Sequence, residues 1–181
     1  MDFRETTRAL RLLAREPPTP EQRARVGDAL RSKFEGVQSV AAQVLAAWGD
    51  RTSVETLRSW LLTVLKRPYG WAIRGVAIRA LAKCIDSTDT GWVLDLYFSR
   101  PDRLLKHEFL PLAAAVDPTP ARPRLTAEVR SSDPLNRHAA IKVICRMPYR
   151  DRETLIRPIL ADTDKYNRKA ARSILSSLTS A

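Results

Sequence analysis

Few side chains in this sequence are placed to do chemistry. Its two histidines, His107 and His138, stand 31 residues apart. Such a pair can bind a metal or exchange protons near neutral pH, but a metal site needs three or four ligands. No cysteine or carboxylate cluster completes a set around them. Two polar residues at a variable position is therefore the simpler reading, and no metal is expected. Cys84 and Cys145 both fall within apolar helical patterns. They read as reduced core or near-core thiols, not a disulfide framework, which implies a reducing compartment. There is no Gly-rich phosphate loop, nucleophile elbow or paired-cysteine zinc spacing. We therefore expect no catalytic residues, no cofactor and no enzyme.

The basic residues are the more informative set. Lys and Arg number 31 against 20 Asp and Glu, for a net charge of +11 and a pI near 10.3. That balance favours an acidic partner: nucleic acid, an anionic membrane surface or an acidic protein. Most of the 31 are Arg, whose planar fork suits carboxylate and phosphate alike.

The elements that carry these residues follow from the apolar spacing. The chain has 181 residues, of which 44% are hydrophobic and 28% charged, and this suits one globular domain. Glycine is scarce, and 12 prolines punctuate the chain. Between them, apolar positions recur at i, i+3, i+4 and i+7, which is helical periodicity, and no run alternates as a strand would. The spacing predicts helices over 3–15, 21–34, 37–48, 53–66, 71–85, 91–99, 104–116, 122–131, 135–147, 152–161 and 166–178. Thr19-Pro20-Glu21, Asp133-Pro134 and the stretch from Asp50 to Ser53 read as helix caps. The N-terminus, Met1 to Glu5, is charged and no apolar segment follows it. No stretch reaches the ~18 apolar residues of a membrane span, so the expected address is cytoplasmic, without membrane insertion.

Five stretches repeat a common pattern. Ile73 to Leu81 aligns with Asn136 to Ile144, with Asn167 to Leu175 and with Val37 to Leu45; Leu105 to Leu110 is a weaker copy. One position, basic in four of the five, recurs as Gln38, Arg74, Lys106, Arg137 and Arg168, at spacings of 36, 32, 31 and 31 residues. Small residues two and three places later would let helices approach closely, and branched residues six and seven places later would fill the space between layers. An Asp stands four places before the basic residue in three copies: Asp102, Asp133 and Asp164. Such an acid can cap its helix and pair with a basic residue of its own or the next repeat. Arg137 and Arg168 are on this reading structural.

The pattern resembles the HEAT-repeat family, in particular short bacterial HEAT-like repeats whose second helix opens with an Asp loop and Val-Arg-x-Ala-Ala-x-x-Ala-Leu. The resemblance covers about 36–178. It departs at Gln38 and Phe34 in the first copy, at Gly70 in the second, and at Pro111, which should kink the second helix of the third. It implies an all-α fold, a right-handed α-solenoid of about five helix pairs. A single domain would span 1–181, with capping helices in 1–35 and repeats over 36–181. In such an array the second helices line the concave side. Their exposed columns would hold Arg79 and Lys83, Lys142 and Arg146, and Lys169 and Arg172, with Arg150 and Arg152 extending the charge onto a loop. A solvated face usually mixes signs, and these columns carry almost no acid.

Two functions remain open on this basis. The first is a non-enzymatic interaction module that takes an acidic protein on a basic concave face. The alternative is a nucleic-acid binder related to the alkylpurine DNA glycosylases, HEAT-like enzymes that use a Trp, an Asp and an Arg. Trp92 and Asp95 match that set only superficially: they lie in a first helix and their spacing is one residue short. Trp92 reads as packing between layers, Trp48 and Trp60 as core. Tyr69 and Trp71, in a predicted loop, are either a contact point or packed on the preceding repeat.

Overall fold

The computed structural model describes residues 3–67, 70–99, 103–147 and 149–179. Among these residues the chain is all-helical, with eleven α-helices, three 3₁₀ turns and no strand. It divides into two compact units, Met1–Ile85 and Asp86–Ala181. The first holds α1 (Phe3–Leu13), α2 (Pro20–Ala29), α3 (Glu35–Trp48), α4 (Arg51–Val64) and α5 (Trp71–Leu81). The second holds α6 (Thr90–Phe98), α7 (Arg103–Ala113), α8 (Arg122–Glu128), α9 (Pro134–Ile144), α10 (Tyr149–Ile156) and α11 (Lys165–Thr179). Each corresponds to one of the eleven helices expected from the apolar spacing, with ends displaced by a few residues.

Helix starts are chemically marked. Thr19 and Gln22 form a reciprocal capping box ahead of α2, and Asp50 accepts from the Ser53 amide to open α4. Asp133 accepts from the Leu135 amide, and Asp164 from those of Tyr166 and Asn167. Helix α3 ends where Gly49 turns left-handed at φ 64°, a conformation glycine adopts without steric cost.

Within each unit the repeated second helices pack on one another: α3 on α5 in the first, α7 on α9 and α9 on α11 in the second. The residue three places after the repeat position is buried in every copy, as Ala41, Ala77, Phe109, Ala140 and Ala171. Four of these five are alanines, and the missing bulk is what lets neighbouring backbones close up. Branched residues fill the next layer, with Val44 and Leu45 in α3, and Val143 and Ile144 in α9, at most 2% exposed. Burial of such side chains is worth roughly 1.5–3 kcal/mol each and accounts for most of the packing energy.

Prolines produce two departures from the expected helices. The segment expected as one helix over 152–161 opens earlier, at Tyr149, and tightens into a 3₁₀ turn over Arg157–Ala161. Pro158 lies in that turn, has no amide to donate, and crowds the carbonyl four residues back. Helix α7 runs through Pro111 and stops two residues later at Ala113. The proline leaves the His107 carbonyl without its usual intrahelical donor.

Candidate anion-binding face

The cations divide into those used up inside the fold and those left outside it. The repeat position belongs to the first group. Arg137 reaches Asp162 with two parallel bonds, Nε to Oδ2 at 2.6 Å and NH2 to Oδ1 at 2.7 Å. Its remaining nitrogen donates to the Ser131 and Ser132 carbonyls, at 2.7 and 3.0 Å. Arg168 donates in the same way to the Asp162 and Thr163 carbonyls, at 2.7 and 2.9 Å. Gln38 donates to the Ser32 carbonyl. All three reach the carbonyl six residues upstream, so this position ties down the loop before its own helix. A neutral amide can do that as well as a guanidinium, which explains Gln38. The expected pairing with an acid four residues back is absent at Arg137 and Arg168, because Asp133 and Asp164 are occupied as caps. Asp102, the third such acid, lies outside the described residues.

Burial sharpens the Arg137 pair. The side chains are 12% and 2% exposed, and the guanidinium holds the Asp162 carboxyl below the usual carboxylate range. Lys106, the equivalent residue in α7, points elsewhere: its Nζ meets Glu128 Oε1 of α8 at 2.5 Å, with the pair 8% and 18% exposed. Nearby, burial first and the Glu128 charge second push the buried Tyr97 hydroxyl above its ordinary range.

The six cations assigned to the exposed columns are in the second group. Arg79, Lys83, Lys142, Arg146, Lys169 and Arg172 are all exposed, and none makes an ion pair with a described residue. Arg79 and Lys83 belong to the first unit, on α5 and just past its end. Lys142 and Arg146 occupy the last turn of α9 and the residues after it, while Lys169 and Arg172 lie on the adjacent α11. Cations at the end of α9 are favoured by the helix dipole. Those in the first half of α11, where no acid occupies the first turn, are not. Arg150 is exposed, but Arg152 is spent on the Met147 carbonyl, with Nε and NH2 at 3.1 and 2.8 Å.

Lys142 and Arg146 share a groove with the two histidines. It is a cavity of about 440 Å³ between α7 and α9, walled by Leu110 and Pro111 on one side. The rings of His107 and His138 stack at 6.4 Å between centroids with 24° between planes. Burial lowers the His107 pKa, and the His138 ring adds to the effect. His138 Nδ1 lies 3.1 Å from Asn167 Oδ1, and Asn167, 1% exposed, donates from Nδ2 to the Pro134 carbonyl at 3.0 Å. The 31-residue spacing thus brings the histidines together, as stacked neighbours. No group of three or more His, Cys, Asp or Glu able to hold a metal occurs among the described residues.

The aromatic candidates separate. Trp92 donates from Nε1 to Asp89 at 2.7 Å, while the exposed Asp95 pairs with Arg124 at 2.9 Å, so the two do not act on a common point. Trp60 is buried, and Trp48 donates to the Leu13 carbonyl with Arg23 over its ring. Trp71 is 75% exposed at the start of α5, and Tyr69 lies outside the described residues. Both cysteines are free and half-buried. Sequence reasoning passed over Arg8, Arg11 and Arg15, exposed along α1 and its end, none in an ion pair with a described residue. Their i, i+3, i+7 spacing marks a common helix face and could have revealed them. It also gave Asn167 no role beyond its place in the repeat.

No protein-family model matches the chain, and no curated protein matches it either. Among solved structures, an engineered protein is similar at 16% identity, covering 99% of this chain and 94% of its own, with a TM-score of 0.49. No helix among the described residues is long and apolar enough to cross a membrane.

Proposed function

We propose that the chain is a non-enzymatic, HEAT-like repeat module that binds an acidic protein partner through its exposed cation columns. One observation carries this reading. On neighbouring helices α9 and α11, Lys142, Arg146, Lys169 and Arg172 are exposed and make no ion pair with a described residue, although acids elsewhere in the same unit are spent on Lys106, Arg122, Arg124 and Arg137. The field of such a patch falls off over about 8–10 Å at physiological salt, so cations on adjacent helices act together on one ligand. The helix count, the near-31-residue period and the alanine-lined contacts between second helices support the HEAT-like reading.

Nucleic acid is the competing ligand for the same cations. The discriminating experiment sets polyglutamate against duplex DNA at about 0.15 M salt. The acidic-protein reading expects capture on immobilised polyglutamate that duplex DNA fails to displace, and a purified protein free of excess absorbance at 260 nm. Displacement by DNA, with a steep log–log salt dependence, would transfer the site to nucleic acid.

A further inference from the structure

We propose that the groove between α7 and α9 is a proton-linked site for a tetrahedral dianion, the group carried by a phosphate monoester. Lys142 and Arg146 supply its fixed charge, and His138, stacked on His107, supplies its titratable charge. The inference rests on the acidic-partner reading and names the group that this part of the surface takes.

Asn167 sets the tautomer of His138. Its Nδ2 donates to the Pro134 carbonyl, so its Oδ1 faces His138 and must accept. His138 Nδ1 therefore carries a proton, and in the neutral ring Nε2 is left with the lone pair. A neutral His138 has nothing to donate to an anion from Nε2; a protonated one does. An oxyanion seated beside Lys142 and Arg146 would therefore be held better once His138 has taken up a proton, so binding and protonation strengthen each other. A phosphate monoester, at ≈ −1.5 to −2, matches two fixed cations plus a gained proton better than a single carboxylate does.

The groups around the ring bear on this linkage. From α7 the face opposite His138 is His107, whose burial opposes a second charge. On the α11 side, Tyr166 and the capping Asp164 line a second cavity that also includes His138, and Asp164 already accepts two amide protons. From α9 come Lys142, Arg146 and the Cys145 thiol, whose Sγ lies 2.8 Å from the Lys142 carbonyl, and from its N-cap Asp133, whose charge offsets only part of the effect of burial on His107. Helices α8 and α10 place no titratable side chain in either cavity. A single proton taken up at His138, with His107 staying neutral, is the arrangement that least opposes these charges.

Because the chain has only two histidines, their proton resonances can be followed singly. The experiment titrates the full chain from pH 8 to pH 5.5 with and without sulfate, which stays a dianion throughout. We expect sulfate to move the His138 midpoint upward by about half a pH unit or more, a threefold or greater preference for the protonated form. Lys142→Gln with Arg146→Gln should abolish the displacement, and Arg8→Gln with Arg11→Gln, exposed on α1 of the first unit, should keep it. An unmoved His138, or a displacement that survives loss of Lys142 and Arg146, would overturn the proposal. A phosphoserine peptide and inorganic phosphate, compared at pH 8, then separate the sources. Tighter peptide binding assigns the group to a phosphorylated partner, and equal or weaker binding assigns it to free phosphate. Polyglutamate capture at pH 8 tests the acidic-partner reading on its own. Its success beside an unmoved His138 would overturn the groove and leave the module standing.

Discussion

The two ends of α9 carry the same kind of side chain to opposite purposes. At its start, Arg137 makes four bonds of 3.0 Å or less to Asp162, Ser131 and Ser132 and is mostly buried. At its far end, Lys142 and Arg146 stand in solvent without an ion pair. Charge alone therefore says nothing about role in this protein. What decides is whether a loop folds back to offer carbonyls and an acid. The loop before α9 does so, as does the loop before α11, while the far end of α9 leaves Lys142 and Arg146 exposed.

The largest effects should come from breaking the buried end. Arg137→Ala strands the Asp162 carboxylate, 2% exposed, and opens the loop, so unfolding free energy should fall by about 3 kcal/mol in denaturant melts. A smaller loss from Asp162→Ala, with strong non-additivity in the double variant, would confirm that the two act as one unit. Lys106→Met should cost a similar ~3 kcal/mol by stranding Glu128, whereas adding Glu128→Leu to it should restore most of the stability. Failure of that second change to rescue would mean that the pair is tied into a wider polar network.

Acid provides the next test. Asp50 is held down to about 2, chiefly by the Arg23 guanidinium, which meets it at 2.5 and 2.9 Å. A carboxyl depressed in the folded state contributes stability that is complete above its unfolded pKa near 4 and is lost as pH falls toward 2. Asp162 is shifted in the same direction by Arg137. Melting temperature should therefore drop between pH 4 and pH 2, and Asp50→Asn should flatten part of that drop. A smaller effect again is expected at Gln38, where Gln38→Ala removes one loop-closing bond and should cost about 1 kcal/mol.

How much of this could be read from the sequence depended on whether the determining contact was local. The helices were readable because spacing, caps and small residues all act within a few residues of one another. The 3₁₀ turn over Arg157–Ala161 was hidden by an apolar pattern that continues across Pro158. The regular 31-residue spacing marked Arg137 as structural, but not its partner. Asp162 belongs to the next repeat, two residues before that repeat's Asp164, and only the path of the loop brings it to the guanidinium. The column cations were readable as exposed because they fall between the apolar positions that their helices bury. Asn167, which sets the His138 tautomer, gave no sign of its role, since its partners Pro134 and His138 are 33 and 29 residues away.

The smallest effect on stability belongs to the exposed cations, and it coincides with the largest expected effect on binding. Lys142→Glu with Arg172→Glu, on neighbouring helices of the second unit, should leave unfolding free energy within about 0.5 kcal/mol of the parent, since exposed charges contribute little. The measurement that tests the central claim most directly is the affinity of this double variant for polyglutamate, with its melting temperature taken on the same sample. The account predicts binding weaker by roughly tenfold or more, chiefly through a slower on-rate, at an unchanged melting temperature. An unchanged affinity in a variant that melts like the parent would contradict it, and would reduce these cations to a solvated surface.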